Sequence, residues 1–379
     1  MFLRKLSLIN FKNCTEAELT FSAGANAFTG NNGEGKTNLL DAIHYLSLCK
    51  SYFNPLDNQN IKHDADFFML LGSYDSDGNE ENISCALKRG QRKVIRRNQK
   101  EYERMADHIG FIPAVMISPV DLMLITEGSE ERRKFIDSII SQYDKLYLDD
   151  LINYNKVISQ RNALLKQFAK SRRMDEASLE IWNAQMIPLA STIYAKRLDF
   201  INRFIPIFQK HYQFISDGKE DVGIEYQSHL HKGNFEELLN VSLDKDMALQ
   251  YSSVGVHKDE LEFTLSGYPV KRFASQGQQK SFLIALKLAQ FDFIKELKRM
   301  KPVLLLDDIF DKLDDTRVHR LMELVSHHSF GQIFITDTHP ERVKTIFENI
   351  GIDIKLFEVR NGARSEEHTS ELQSPYVIS

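Results

Sequence analysis

An α/β fold, a mixed sheet flanked by helices and interrupted by an antiparallel helical arm, is predicted by three observations. A strand–loop–helix unit near the N-terminus carries a glycine-rich loop. A hydrophobic strand late in the chain ends in two aspartates. Between them the hydrophobic period changes from two to about 3.6.

Taken in order, Leu6–Ile9, Leu19–Phe21 and Ala27–Thr29 alternate as short strands before the glycine-rich loop. Asn38–Leu46 after it reads as an amphipathic helix. Ile83–Leu87 and Val94–Ile95 flank Arg89-Gly-Gln-Arg92 as a hairpin, and Ala114–Ile117 is a strand stopped by Ser118-Pro119. From Glu130 to Phe214 the pattern is helical. Leu148, Leu151, Ile152, Asn155, Ile158, Leu165 and Phe168 form one stripe. The polar break Lys170–Asp175 precedes a second stripe of Ile181, Met186, Ala190, Ile193, Arg197, Phe200, Phe204 and Phe208. Pro188 and Pro206 are expected to kink this second helix. The first, at about 23 residues, extends roughly 35 Å, an arm rather than a long coiled coil. Val303–Leu306 and Gln332–Thr336 are buried strands. We therefore expect residues 1–127 and 250–363 to form one head and residues 128–249 to be inserted into it.

The 379 residues suffice for two or three domains with sizeable cores. Apolar residues at 42% and charged ones at 27% are ordinary for a globular protein, and the net charge of −5 confines any nucleic-acid contact to a local patch. Cys14, Cys49 and Cys85 lack C-x-x-C spacing, which argues against a zinc site or disulfide framework and suits a reducing cytosol. No apolar run approaches the ~18 residues of a membrane span. The N-terminus alternates like a strand and lacks a signal-peptide cleavage region. We expect a cytoplasmic protein with no membrane contact.

Gly30-Asn31-Asn32-Gly33-Glu34-Gly35-Lys36-Thr37 fits the phosphate-cradling pattern G-x-x-x-x-G-K-[ST] without mismatch. Phosphate recognition needs bare backbone N–H groups feeding a helix N-terminus, and the flanking strand and helix supply that context. Lys36 then reaches the β/γ-phosphates, Asn38 lies in the first helical turn, and the Thr37 hydroxyl is a ligand for Mg²⁺ beside ATP. Val303–Leu306 ends in Asp307, expected to hold the Mg²⁺ shell, and Asp308, expected to orient and deprotonate the attacking water. Ser275, Gly277 and Gln278 open another helix, again suited to an anion. One γ-phosphate does not need two cradles unless the second serves a nucleotide held by another copy. Asp311–Asp314 is then a loop suited to crossing a subunit seam.

This ordered set resembles the P-loop ATPase head shared by ABC transporters and SMC-type proteins, and more narrowly the RecF family of bacterial recombination-repair proteins. Seven elements carry the likeness from residue 1 to about 362. Phe11-Lys12-Asn13 resembles the family's F-R-N, with lysine replacing arginine. Gly30–Leu40 with Asp41-Ala42-Ile43, and Lys50-Ser51-Tyr52-Phe53, match its next two. Ile117–Leu122 resembles its P-E-D-L stretch and Arg132–Asp137 its R-R-x-F-L-D stretch. Gly255–Leu261 resembles G-P-H-R-D-D-L, and Ser275–Lys280 its S-Q-G-Q-Q signature. Near Ser118 the glutamine of ABC heads is missing, with Asp121 in its neighbourhood. His339 is read as an ordinary loop histidine, and His257 and Lys258 as regulatory candidates by resemblance.

The resemblance implies an ATP-dependent DNA clamp in recombinational repair, replication and the SOS response to DNA damage. Such a clamp binds single-stranded and gapped double-stranded DNA, dimerises with ATP, hydrolyses it slowly, and helps load RecA with RecO and RecR. The alternative is an SMC-like DNA-tethering ATPase, disfavoured by the short arm and the absence of a C-x-x-C hook. A P-loop small-molecule kinase would leave Ser275–Lys280 unexplained. Lys88, Arg89, Arg92, Lys93, Arg96, Arg97, Lys100 and Arg104 crowd the hairpin, and Lys166, Lys170, Arg172 and Arg173 the helical tip. Without interleaved aromatics these suit backbone contact rather than base stacking. We take Arg92, Lys93, Arg96 and Arg97 as the candidate DNA contacts.

Residues 364–379 are set aside. Arg364–Ser374 resembles the conceptual translation of a sequencing-library adapter, Pro375–Val377 falls at its variable index, and Ile378-Ser379 fits its resumption. The coding DNA is expected to match that adapter at codons 364–374, which resequencing checks.

Overall fold

β1 (Phe2–Phe11) alternates buried leucines with half-exposed residues and pairs antiparallel with β2 (Cys14–Thr20). β3 (Ala25–Thr29), buried at every position, belongs to a different sheet. Beyond the glycine-rich loop, α1 (Lys36–Leu48) is followed by β4 (Phe67–Ser76), β5 (Asn79–Lys88), β6 (Val94–Arg97) and β7 (Lys100–Glu101). These complete a six-stranded sheet in the order β2-β1-β4-β5-β6-β7, antiparallel throughout. β8 (Ala114–Ile117) returns to the sheet of β3.

The computed structural model describes residues 1–218, 220–310, 318, 320, 322–324, 330–360, 365–366 and 376–378. They fall into two compact units, Met1–Leu122 with Lys280–Ser379, and Met123–Gln279.

The second unit begins with α2 (Met123–Thr126) and α3 (Ser129–Tyr143), then the long pair α4 (Lys145–Ser171) and α5 (Glu176–Ser216). Side chains cap both long helices: Asp144 accepts from the N–H of Tyr147 at 3.0 Å, and Asp175 from that of Ser178 at 3.1 Å. Arg172 ends α4 in the left-handed conformation, so the chain turns where the polar break predicts. β9 (Val222–Gln227), α6 (Phe235–Val241), α7 (Leu243–Leu249), β10 (Glu260–Leu265), β11 (Tyr268–Pro269) and α8 (Val270–Phe273) follow, with the strands in a sheet ordered β11-β10-β9. α9 (Gln276–Lys298) leads back to the first unit.

There β12 (Val303–Leu306), β13 (Ile333–Asp337) and β14 (Ile354–Val359) complete a parallel core in the order β14-β3-β13-β12-β8. Its central strands are apolar runs, as expected where both faces are covered. β15 (Ser365–Glu366) and β16 (Tyr376–Ile378), from the segment set aside above, extend the β14 edge. Buried Gln332 ties the two sheets of this unit together. It accepts from the Leu3 N–H at 2.8 Å and donates to the Leu3 and Ser22 carbonyls at 2.8 and 2.7 Å. A ring cluster of Phe21, Phe28, Phe334 and Phe357 fills the space beside it. α1 is buried almost all round, packed on strands of both sheets.

Three expectations are corrected. The unit boundary falls at Leu122 and Gln279 rather than at residues 127 and 250, because β9–β11 pair with one another and α5 packs on β9. The stripe of α4 is Tyr147, Tyr154, Val157, Ile158, Arg161, Leu165 and Phe168, while Ile152 is exposed. Tyr147, Tyr154 and Arg161 bury long side chains whose polar ends find partners inside the fold. Ile181 is likewise exposed. Pro188 and Pro206 both lie inside α5.

Arg197 explains how a charge sits on the core stripe of α5. Its guanidinium reaches Asp137 at 2.9 Å, Asp259 at 2.7 Å and the Val256 carbonyl at 2.7 Å. Arg132 and Arg133 bind Glu260 and the Asp259 carbonyl, so two of the family-like elements are locked to each other. Buried Arg161 similarly holds Asp246 at 2.7 Å and Asn183 at 2.9 Å.

Removing Arg197 leaves two carboxylates without their partner. Arg197→Met is expected to destabilise the second unit by about 3–5 kcal/mol, read from urea unfolding. In the first unit, burial pushes the His44 imidazolium from 6.5 down to about 4, while Nδ1 lies 3.1 Å from the Lys50 carbonyl. Unfolding lets this ring protonate at its ordinary pKa. Stability is therefore complete above pH 6.5 and lost as pH falls toward 4, by up to about 3 kcal/mol, and His44→Gln is expected to flatten that slope in pH-dependent melting.

Candidate nucleotide site

The parallel strands of the first unit bring the candidate residues to one edge. Thr29 pairs with Asp337, and Leu306 pairs with both Ile335 and Ile117. Gly30, Thr336, Asp307 and Ser118 therefore emerge side by side at the carboxyl ends of β3, β13, β12 and β8. Open α/β sheets bind ligands at that edge.

The glycine-rich loop is shaped by backbone freedom that only glycine supplies. Gly30 lies at φ +142, and a Cβ there would stand 2.4 Å from the Val359 carbonyl oxygen. Gly35, at φ +106, caps α1 in the left-handed region. Asn31, Asn32 and Gly33 are exposed, and Glu34 is half-buried. Asn13 braces the loop from outside, accepting from the Asn38 amide at 2.6 Å. The Lys36 ammonium donates to the carbonyls of Gly30 at 2.7 Å and Asn31 at 2.9 Å. Burial lowers its pKa, opposed by the nearby charges of Asp308, Asp337, Asp307 and Glu34.

Asp307 is the convergence point. Thr37 donates to it at 2.8 Å, Ser118 at 3.0 Å and Thr336 at 3.0 Å. A carboxylate flanked by a loop-threonine hydroxyl is the donor set that a hard, oxygen-seeking cation takes. The next residue, Asp308, has φ +45, rare for a residue with a side chain, and its N–H donates to Thr336 at 2.9 Å. Backbone strain of this kind at a strand end accompanies functional positions.

Ser118 and Thr336 were missed by sequence reading. The signal for Ser118 was its place at the end of a buried strand; Thr336 carried none beyond its strand. His339 is exposed and touches Thr338, whereas Asp337 forms a bidentate pair with Arg342 at 2.7 Å.

In the second unit, Ser275 and Gln278 form a reciprocal cap. Gln278 accepts from the Ser275 N–H at 2.7 Å, and Ser275 Oγ accepts from the Gln278 N–H at 3.3 Å. The Gln278 amide also donates to Glu220 at 2.6 Å. Gly277 lies in the same turn. His257 is buried against Tyr154 and the Ser252 carbonyl, and its pKa is lowered to about 4, chiefly by burial; this is a core ring. Asp311–Asp314 lies outside the described residues.

The basic hairpin is less free than its composition suggests. Lys93 is buried and binds Asp57 at 2.8 Å and the Cys49 carbonyl at 2.6 Å, so it holds the fold and does not face a ligand. Arg97 grips Glu81 and lies over the Phe111 ring. Arg92 and Arg96 are exposed, although Arg96 lies 3.6 Å from Glu101. Among the described residues, no helix is long and apolar enough to cross a membrane.

Comparison with known proteins agrees with this geometry. The family model for the RecF/RecN/SMC N terminal domain matches residues 2–361. The DNA replication and repair protein RecF of Flavobacterium johnsoniae is 52% identical over 359 residues, covering 95% of this chain and all of the relative. That of Bacteroides fragilis is 50% identical over 372 residues, covering 98% and all. Among solved structures, the recombination mediator protein RecF bound to ATP in the RecFOR pathway superposes with a TM-score of 0.85 at 29% identity, covering 95% of this chain and 96% of that one. An Smc head domain from Pyrococcus furiosus shares the fold, with a TM-score of 0.54 at 18% identity. With its glycine-rich loop, serine-glycine-glutamine turn and acidic strand end in this order, the chain belongs to the RecF family of DNA replication and repair proteins.

Proposed function

We propose that this chain is an ATP-gated DNA clamp in which two copies enclose two ATP molecules, each held by Lys36 of one copy and covered by Ser275 of the other. The observation that carries the reading is Asp307, which gathers the Thr37, Ser118 and Thr336 hydroxyls at the mouth of the phosphate loop. The likeness to an ATP-bound RecF supports ATP as the nucleotide.

In this reading the N–H groups from Asn31 to Asn38 cradle the phosphates, aided by the α1 dipole. Thr37 and Asp307 hold Mg²⁺, which neutralises charge on the phosphates. Asp308 orients and deprotonates water, its strained backbone fixing the carboxylate. Ser275, Gly277 and Gln278 present the start of α9 to the other copy's nucleotide. Hydrolysis is slow and stimulated by DNA, as suits a switch. ATP binding favours the dimer because only the dimer offers a complete site.

The clamp engages single-stranded and gapped double-stranded DNA through phosphate contacts from exposed Arg92 and Arg96 and the arm-tip cations Lys166, Lys170, Arg172 and Arg173. With RecO and RecR it helps load RecA, in the cytoplasm. The naming of a RecFOR pathway for the solved relative supports that partnership.

Sedimentation of the Asp308→Asn protein, with ATP and gapped DNA, tests the sandwich. It is expected to dimerise, whereas Ser275→Arg in that background stays monomeric and keeps ATP affinity within about twofold. A hydrolysis-impaired protein that remains monomeric at high concentration overturns the reading.

A further inference from the structure

Within the second unit, the hairpin of β10 and β11 and the short helix α8 hold an aromatic pair in solvent. Ser266 and Gly267 both take the left-handed conformation, a two-residue turn that folds β11 back on β10, with Leu265 beside Tyr268 and Thr264 beside Pro269. Val270 is buried, and the Ala274 N–H closes α8 on the Val270 carbonyl at 3.1 Å. This frame sets the Tyr268 and Phe273 rings 5.4 Å apart, tilted by 53°. Tyr268 is 61% exposed and Phe273 66%, the two most exposed aromatic side chains among the described residues. Exposed rings forgo the free energy of burial, and a pair pinned side by side in water marks a contact surface.

The surrounding charge says what kind of partner fits. Lys271 and Arg272, between the two rings in sequence, are exposed and pair with no carboxylate among the described residues. Residues 266–279 contain no carboxylate at all, in a chain of net charge −5. The same two cations line a cleft of about 310 Å³ together with Ile125, Phe263 and Pro269. The two carboxylates of that cleft are engaged: Arg132 holds Glu260 at 2.7 Å, and Glu262 accepts from the Gln227 amide at 3.0 Å. Unpaired cations beside open ring faces are the chemistry that takes an anionic chain carrying flat bases.

We propose that Tyr268 and Phe273 are a stacking platform for unpaired bases of single-stranded DNA, with Lys271 and Arg272 taking the flanking phosphates. In a duplex each base hides its faces against its neighbours, so open rings find nothing to stack on; in a gap the faces are free. The hairpin and arm-tip cations lack such rings and hold the backbone of either form, whereas this surface distinguishes the two. The inference rests on the DNA reading above and deepens it by naming where the unpaired strand is recognised.

Fluorescence anisotropy of the full chain tests this, with a labelled oligothymidylate and a blunt duplex of equal length as probes. Tyr268→Ala with Phe273→Ala is expected to weaken single-strand binding by roughly tenfold and to leave duplex binding unchanged. Lys271→Ala with Arg272→Ala is expected to lower the single-strand salt slope by about 1.4, roughly 0.7 for each phosphate released. Phe273→Trp is expected to keep the parent's affinity, with an emission that the oligothymidylate quenches and the duplex does not. Full single-strand affinity in the double alanine variant, or an equal loss on both probes, overturns the platform. So does a loss of ATP-dependent dimerisation with single-strand affinity intact, which would assign the rings to a seam between copies. A parent protein that binds neither probe overturns the DNA reading, and the platform with it.

Discussion

A carboxylate withdrawn from water must find hydrogen-bond donors, and Asp307, 5% exposed, finds three from segments far apart in the chain. One comes from the start of α1, one from the end of β8 and one from β13. The arrangement requires the four parallel strands to end level with one another. That in turn requires the register in which Leu306 lies beside Ile117 and Ile335, and Asp337 beside Thr29. A slip of one residue would turn these side chains to the other face of the sheet and dismantle the site.

The second unit solves a related problem with cations. Arg197 and Arg161 are buried in a helical pair whose stripe is mostly apolar and aromatic, and each is matched by a carboxylate brought from the 246–260 segment. Buried ion pairs add little net stability, since desolvation offsets attraction, but removal of either partner is costly. They therefore specify which segments meet. The family-like stretches Arg132–Asp137 and Gly255–Leu261 are joined by this mutual lock.

The same accounting revises the surface. Hairpin cations that look like a phosphate-binding patch are partly consumed by the fold, because Lys93 stabilises the carboxylate of Asp57 and Arg97 that of Glu81. Local sequence records charge density but not whether a neighbouring strand already neutralises it. The exposed remainder is Arg92 and Arg96.

By itself the sequence determined the glycine-rich loop, the acidic strand end, the helical arm and the serine-opened turn, because each is written in consecutive residues whose chemistry is local: glycines where side chains do not fit, an apolar run before aspartates, a serine opening a helix. Tertiary structure alone decided that Ser118 and Thr336 join Asp307, that Asp121 faces Lys287, and that β9–β11 belong with the arm. It also decided that Tyr147 and Arg161 are core while Ile152 and Ile181 are not. These facts depend on partners tens to hundreds of positions away. Spacing along one chain says nothing of which buried charge a distant residue will neutralise.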